Sequence, residues 1–239
     1  MRVQAVSLCI WGYFGACALG ALKREGRGER AVSRFLFALL ALSMATTYLC
    51  VAQSGESIVQ TLLPLHLCSL CAFLGLAFYL RPTEGLFHFL WYLGMPCASL
   101  ALLFPSILRV PWQGPLDAAF FATHALIVLS PLTLIARGIL PERRGALRTL
   151  LWGNVFAACV YAMNRLLGTN YLFLMAAPYG TPLRFFESLG RIPYLLAIEA
   201  IGAGAVGLMY AVTLGLERRG RAWYNQIGRD SDPSGNAVR

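Results

Sequence analysis

Charged side chains are scarce in this sequence. Asp, Glu, Lys and Arg together make up 13% of its 239 residues, whereas a typical soluble domain contains about 25%. Hydrophobic residues account for 58%, and this combination excludes an ordinary soluble globular domain. Also missing are the segments of alternating polarity, about ten residues long, that build transmembrane barrels. What is left is an integral membrane protein made of helices, because a helix satisfies its own backbone hydrogen bonds in lipid.

The hydrophobic residues are concentrated in blocks of about 20 residues, the length that crosses the hydrocarbon core of a bilayer as a helix. Seven such blocks cover residues 5–22, 34–52, 58–80, 86–104, 117–137, 148–167 and 192–215. They predict an all-α protein with seven transmembrane helices in one bundle over residues 1–216. Residues 217–239 are polar and predict a disordered tail. No cleavage site of small residues ends the first block, so we interpret it as a retained helix rather than a signal peptide.

Acidic residues are the scarcer of the two charge classes, with 11 against 20 basic residues and a net charge of +9. Most of the basic residues follow the first, third and fifth blocks or lie in the tail. Because such residues favour the cytoplasm, we predict an external N-terminus and a cytoplasmic C-terminus. Acidic residues interspersed among them argue against nucleic acid as a partner. Anionic lipid headgroups on the cytoplasmic side account for the charge.

Histidine is rare, and the cysteines match no metal-binding pattern. All seven cysteines fall inside predicted helices, their number is odd, and their spacing is not that of a zinc site. The predicted exported loops contain no cysteine, which argues against structural disulfides there. We therefore predict no bound metal and no cofactor, and interpret most of the cysteines as small hydrophobic residues.

The few polar residues inside the blocks fall at one level. Counting 1.5 Å per helical residue, the outer half of the bundle receives His66, Cys68, His124 and Glu199, with Asn164, Arg165, Asn170 and Tyr171 near its outer end. The inner half is almost free of such groups, with His88 and Asn154 near its edge. Ionisable residues inside a bilayer need a reason. This layer predicts a polar cavity open to the outer half of the bilayer.

Pro64 lies two residues before a histidine within the third block. A proline inside a helix removes one backbone bond and clashes with the carbonyl four residues back, here that of Gln60, so we expect a kink. His66 and Cys68 are two residues apart and do not share a helix face. A base for Cys68 should therefore come from another helix, and His124 lies at a matching depth.

A cysteine paired with a histidine is the arrangement that transfers acyl groups through a thioester. The alternative for the cysteine is a small hydrophobic residue, and for each histidine a hydrogen bond to a neighbouring helix. Glu199 is expected to pair with Arg165 or with a histidine, because a buried charge needs a partner.

The segment GTNYLFLMAAPYGTPLRFFESLG, residues 168–190, is apolar and aromatic but interrupted by Pro178, Gly180 and Pro182. These helix-breaking residues argue against a helix that crosses the whole membrane. They favour a re-entrant or interfacial element. It is either an aromatic belt at the headgroup level or a lid and lipid-contact surface over the bundle.

Four stretches resemble a known family: LPLHLCSL (63–70), FATHAL (121–126), NRLLGTNYLFLMAAP (164–178) and PYLLAIEA (193–200). They are similar to the YwaF-like family of bacterial integral membrane proteins, which is related to the eukaryotic transmembrane protein 164 family. The resemblance implies a bacterial plasma membrane protein. It also implies phospholipid acyl transfer by a membrane-embedded cysteine, as in the eukaryotic relatives, and a fold like that of the androgen-induced-protein hydrolases. Cys68 matches the family's cysteine, and His124 matches the histidine of its fifth transmembrane helix. The residues that match the family's stretch before and within GTNY are Asn164, Arg165, Asn170 and Tyr171.

The leading hypothesis is a membrane-embedded lipid acyltransferase or lipid-ester hydrolase. Cys68 would attack an acyl ester and His124 would act as base and then as acid. The predicted substrate-binding residues are His66, Asn164, Arg165, Asn170, Tyr171 and Glu199. An alternative is a non-enzymatic carrier or receptor for a small polar or lipidic ligand. A third hypothesis makes His66 and His124 haem ligands.

Overall fold

The chain folds into helices and loops. A computed structural model describes residues 11–12, 14–18, 20, 29–55, 57–105, 107–108, 111–178 and 180–230, and within those ranges no strand is present. The predicted all-α class is confirmed. The helices, in chain order, are α1 (Glu29–Ala52), α2 (Ile58–Thr61), α3 (Leu67–Leu80), α4 (Glu84–Phe89), α5 (Met95–Leu103), α6 (Gln113–Ile135), α7 (Arg143–Leu167), α8 (Leu183–Ser188) and α9 (Arg191–Asp230).

Five helical segments are long and apolar enough to cross a membrane, and they match five of the predicted blocks. They are Arg30–Ala52, Glu84–Leu103, Gln113–Ile135, Arg143–Leu167 and Arg191–Arg219. Most of the first predicted block lies outside the described residues, although those described between 11 and 20 are helical. The third block differs from the prediction of one continuous span. Its main helix, α3, has 14 residues and is about 21 Å long.

The main hydrophobic core lies between α1, α3 and α6. Leu36 and Leu40 of α1 and Leu126 and Ile127 of α6 are almost completely buried in it. The Tyr79 hydroxyl of α3 donates a hydrogen bond to the carbonyl oxygen of Leu126 at 2.8 Å. A carbonyl inside a helix can accept this second bond because it has two lone pairs. The short helix α3 is therefore tied to a full-length neighbour.

Helices α7 and α9 lie at the side of the bundle. Only 17% and 11% of their most apolar stretches are buried, so most of their surface faces outward. Helix α9 continues to Asp230, past the predicted domain boundary at residue 216. No proline interrupts the sequence between Pro193 and Pro233, and proline is the residue that ends helices most strongly. Residues 217–230 of the expected tail are thus helical, and residues 231–239 lie outside the described ranges.

A π turn at Leu90–Gly94 joins α4 to α5. The N–H of Met95 bonds to the carbonyl of Leu90, five residues back, as in a π-helix. Pro96 follows directly and has no N–H to donate. The usual pattern of hydrogen bonds to the carbonyl four residues back is therefore interrupted at Met95 and at Pro96. The extra residue in the turn changes which side chains of α5 face the rest of the bundle.

Helix α5 packs antiparallel against α3 through two small-residue contacts. Gly94 lies opposite Cys71, so that an added methyl group on Gly94 would be 3.2 Å from the Cys71 Sγ. One turn further along α5, the Cys97 Sγ lies 3.3 Å from the Cys68 Sγ. Gly94 and Cys97 share one helix face because they are three residues apart. The π turn and the glycine together bring the two helices close enough for their thiols to touch.

A group of arginines lies at the opposite end of α3 from Cys68, and we call this region the arginine-rich end (residues 81–88 and 136–148). There the His88 Nε2 accepts a hydrogen bond from the backbone N–H of Glu142 at 3.0 Å. Arg148 donates to the Glu84 carboxylate at 3.1 Å, and that carboxylate lies 3.7 Å from the His88 Nδ1. These contacts join the start of α4 to the start of α7.

A cleft of about 390 Å³ opens at the arginine-rich end, between the ends of α3 and α6 and the start of α4. Its lining residues include Glu84, His88, Arg137 and Glu142. This cleft lies on the side where the sequence placed most of the basic residues. It is separate from the polar cavity predicted in the other half of the bundle, which stays a prediction.

Candidate functional site

The third predicted block is interrupted by a side chain from a distant loop. In a continuous helix the N–H of Leu63 would donate to the carbonyl of Val59. Instead the Tyr171 hydroxyl lies between them, accepting from the Leu63 N–H at 3.1 Å and donating to the Val59 oxygen at 2.9 Å. The hydroxyl therefore replaces the missing helical hydrogen bond. Where the sequence predicted a kinked but continuous helix, the structure has two separate helices, α2 and α3, with a break between them.

Pro64 explains why the break is at this point. It cannot donate to the carbonyl of Gln60 and it restricts the residue before it to extended conformations. The chain stays non-helical from Leu62 to His66, whose backbone is extended (φ −77°, ψ 145°). Helix α3 then starts at Leu67. Burial raises the pKa of the Tyr171 hydroxyl, so it stays protonated and able to donate at neutral pH.

The break places Cys68 in the first turn of a helix. The first N–H groups of a helix have no intrahelical acceptors. The backbone N–H groups of Leu67, Cys68 and Ser69 have no acceptor among the described residues, and His66 provides no side-chain cap. The Cys68 thiol thus lies at the positive end of the α3 dipole, where free backbone N–H groups can stabilise an adjacent oxyanion.

The loop that supplies Tyr171 is held by two asparagines. The Asn164 amide donates to the Tyr171 carbonyl at 2.8 Å and accepts from the Tyr171 N–H at 2.9 Å and the Thr169 hydroxyl at 2.8 Å. The Asn170 side chain bonds the backbone of Met175 and Ala176 in the same way. Both residues were predicted to bind substrate, which stays a prediction; the bonds seen here tie their side chains to the loop.

The same loop contains two consecutive residues in the left-handed region, Leu172 (φ 55°) and Phe173 (φ 56°). This conformation costs a residue with a side chain roughly 1–2 kcal/mol. The hydrogen bonds of Asn164 and Asn170 flank the strained pair and offset that cost. The Tyr194 hydroxyl also donates to the Phe173 carbonyl, which ties the loop to α9.

His66 packs against this strained loop. Its ring centroid is 4.9 Å from that of Tyr171, in an edge-on arrangement, and 5.8 Å from that of Phe173. No hydrogen bond to its ring nitrogens occurs in the described part of the chain. His66 therefore lies between the helix break and the loop.

His124 is buried in α6. Its Nδ1 lies 2.7 Å from the carbonyl oxygen of Phe120, and its ring is 4.1 Å from the Phe120 ring. Because a carbonyl can only accept, Nδ1 carries the hydrogen and Nε2 is left with a free lone pair. No hydrogen bond joins His124 to Cys68 within the described ranges, and the nearest partner of the Cys68 thiol is Cys97.

Glu199 and Arg165 lie on the outer surface of the bundle. The Glu199 carboxylate accepts from the Asn154 amide at 3.0 Å, so the expected pairing with Arg165 or with a histidine was wrong. The sequence placed Glu199 in the interior, but α7 and α9 are mostly exposed along their lengths, and Glu199 and Asn154 lie at their shared edge. Arg165 is in the last turn of α7, where a cation interacts favourably with the helix dipole.

Two components of this site were not predicted. Cys97 was treated as one small hydrophobic residue among several, although Pro96 beside it is a signal of local helix irregularity. The bridging role of Tyr171 needs the backbone geometry of Val59 and Leu63, which no residue pattern reveals. Within the described ranges, no group of three or more His, Cys, Asp or Glu side chains is placed to hold a metal ion.

Replacing Tyr171 by phenylalanine should loosen the helix break. The change removes one hydroxyl and leaves the Leu63 N–H and the Val59 carbonyl without their partner. An unsatisfied buried group costs about 1–3 kcal/mol. We expect a loss of about 2 kcal/mol and a fall in Tm of roughly 4–8 °C for a chain of this size. The measurement is the temperature at which the thiols of the detergent-solubilised protein become reactive to a thiol-specific dye.

Tyr161→Phe is the matched control, because the structure gives the Tyr161 hydroxyl no hydrogen bond in the described residues and its ring faces Arg191. That variant should melt like the original protein. Equal melting temperatures for Tyr171→Phe and Tyr161→Phe would contradict the bridging role.

Comparison with protein-family models shows which family the chain resembles. The model of the TMEM164 family matches residues 3–210, which include the broken helix, Cys68, His124 and the whole asparagine-held loop. No curated protein matches the chain, and no solved structure does.

Proposed function

Because the chain belongs to the TMEM164 family and carries five helices of membrane-spanning length, we propose that this membrane protein is a cysteine-dependent lipid acyltransferase or lipid-ester hydrolase. Cys68 is the proposed nucleophile. The single observation that supports it most is the position of Cys68 in the first turn of α3, which the break at Pro64 creates. An interior helical cysteine would have neither free N–H groups nor the positive end of a dipole nearby.

In the proposed reaction the Cys68 thiolate attacks the carbonyl carbon of a lipid acyl ester. The developing oxyanion is stabilised by backbone N–H groups of the first turn of α3, those of Leu67 and Ser69 being closest to the thiol in sequence. Such donors, held in place before reaction in a water-poor site, supply the largest part of many enzymes' rate enhancement. The alcohol leaves, and the acyl group stays on Cys68 as a thioester until a second alcohol or water accepts it.

His124 is the proposed base. Its Nδ1–H is held by the Phe120 carbonyl, which fixes the tautomer whose Nε2 can take up a proton. A general base typically contributes about 10²–10⁴-fold to a rate. His124→Gln should therefore lower the rate of acyl transfer by about that factor while Cys68 remains alkylatable by a small maleimide.

Membrane lipids are the proposed substrates, and anionic headgroups are the proposed partners of the arginine-rich end. The charge distribution supports a cytoplasmic location for that end. In that orientation the helix break and the loop around Tyr171 face the outer leaflet. The aromatic and apolar side chains exposed on the loop, Phe173, Phe185 and Leu189, then lie at the level where aromatic residues are enriched.

Acyl-enzyme trapping tests the proposal. Purified protein in lipid nanodiscs would be incubated with a phospholipid that carries an alkyne-tagged acyl chain, and covalent label that hydroxylamine removes would be measured. We expect labelling of the original protein and none of Cys68→Ala. Cys159→Ala is the matched control, since Cys159 is an exposed cysteine on α7. Label that persists in Cys68→Ala would exclude Cys68 as the nucleophile.

A further inference from the structure

The closest pair of thiols in the described part of the chain links two different helices. The Cys68 Sγ on α3 and the Cys97 Sγ on α5 are 3.3 Å apart. A disulfide bond is about 2.05 Å long, so the sulfurs need to approach by only about 1.2 Å. The two sulfurs are already in contact, which is the first requirement for a bond between them.

A third cysteine shows why this pair is the reactive one. Cys71 lies one turn below Cys68 and is 1% exposed, because Gly94 and its neighbours cover it. Cys68 and Cys97 are partly accessible. Residue exposure therefore favours reaction at Cys68 and Cys97 over reaction at Cys71. Access is one requirement for the reactivity of a thiol.

We propose that Cys68 and Cys97 form a redox-active dithiol, closed to a disulfide by a membrane-soluble quinone. Two S–H bonds break and one S–S bond forms. The two thiols give up two electrons and two protons, and the quinone takes up both pairs to become a hydroquinone. The reaction is balanced and uses no further reactant. A quinone is the chemical class that fits, because the site is surrounded by apolar helices and needs an oxidant that partitions into the bilayer.

Closure has two consequences for the molecule. It ties the first turn of α3 to α5, next to the π turn. The helix break is then held by this covalent bond as well as by the hydrogen bonds of Tyr171. It also consumes the Cys68 thiol. If the proposed acyl chemistry holds, the oxidised protein is inactive and reduction restores it; this consequence rests on the proposed function, whereas the disulfide itself does not.

The test uses the full chain, reduced and reconstituted in nanodiscs of ether-linked phospholipids, which carry no acyl ester, with decylubiquinone as the probe. After reaction, free thiols would be alkylated with N-ethylmaleimide under denaturing conditions. Digestion with chymotrypsin, which cleaves after Leu70, separates Cys68 from Cys71. We expect mass spectrometry to find the Cys68 and Cys97 peptides joined, with loss of alkylation at both and hydroquinone formed in equal amount.

Two variants serve as controls. Cys97→Ser should abolish the linked peptide and leave Cys68 fully alkylated, while Cys50→Ser, in the separate cluster with Val51 and Leu116, should form the link like the original protein. The proposal is overturned if decylubiquinone leaves both thiols of the original protein alkylated, or if Cys68 becomes linked to Cys71 instead. Because only thiol masses are read, failure of acyl transfer would not change the result.

Discussion

Gly145→Ala should strongly destabilise the protein, because the added methyl group has no room. It would lie 2.4 Å from the His88 Cγ and 2.7 Å from the neighbouring ring atoms, well inside van der Waals contact. The ring cannot easily move, since its Nε2 is held by the Glu142 N–H at 3.0 Å and its face stacks on Phe87. Overpacking of this kind costs about 1–3 kcal/mol and sometimes more.

We expect the upper end of that range for Gly145→Ala, with a fall in Tm of roughly 6–12 °C at about 3 kcal/mol. Thermal unfolding in detergent, followed by the loss of monodisperse protein, measures it. Gly85→Ala is the matched control: Gly85 lies in the same helix as His88 with open space around it, and alanine is the better helix former by about 1 kcal/mol. It should be neutral or slightly stabilising.

A double-mutant cycle separates the steric cause from a general loss of helix packing. His88→Ala removes the ring that the new methyl group meets. If the clash is the cause, His88→Ala combined with Gly145→Ala is less destabilised than the sum of the two single variants. Additive effects, or a Gly145→Ala variant as stable as Gly85→Ala, would contradict the steric explanation.

Asn164→Leu should be the second strongly destabilising change. Leucine has a similar size but removes three hydrogen bonds at once, two with the Tyr171 backbone and one with the Thr169 hydroxyl. Asn164 is 1% exposed, so water cannot replace these bonds. With about 1–3 kcal/mol for each group left unsatisfied, we expect a loss of several kcal/mol. Leu172 and Phe173, the strained residues after Tyr171, would lose one of the two asparagine side chains whose hydrogen bonds flank them.

The effect of Asn164→Leu should also reach the helix break, because Tyr171 bridges Val59 and Leu63. We expect faster alkylation of Cys68 by a membrane-permeant maleimide, together with a lower melting temperature. Thr169→Val removes one of the three bonds and should cost about 1 kcal/mol. Asn164→Asp keeps the acceptor and loses the donor, so it should fall between the two. A Thr169→Val variant as unstable as Asn164→Leu would contradict this ranking.

The sequence was a good guide wherever hydrophobic length decides the structure. Five of the seven blocks became helices of the expected extent, because about 20 apolar residues in lipid have few alternatives to a helix. Pro64 also signalled correctly that the third block is irregular. It could not signal a full break, since that requires a hydroxyl from residue 171, more than a hundred positions away, to satisfy the backbone.

The polar residues were harder to interpret, for a physical reason. A polar side chain in a membrane protein satisfies its hydrogen bonds either with a ligand or with the chain itself, and depth along a helix does not distinguish the two. Asn164 and Asn170 bond to their own loop. Glu199 bonds to Asn154. Cys97 became part of the site only through the π turn at Leu90–Gly94, whose register shift no residue spacing reveals.

The divided third block has a consequence for how the protein enters the membrane. Helix α3 is about 21 Å long at 1.5 Å per residue, well short of a hydrocarbon core of about 30 Å. Helix α2 and the broken segment carry backbone groups without helical partners, such as the Leu63 N–H and the Val59 carbonyl. Placing such groups in lipid costs free energy unless another part of the protein hydrogen-bonds to them. The hydroxyl that covers them is synthesised more than a hundred residues later. The segment must therefore wait in the translocation machinery, or at the lipid surface, until α7 and its loop have been made. Chains truncated before residue 171 should fail to integrate this segment stably.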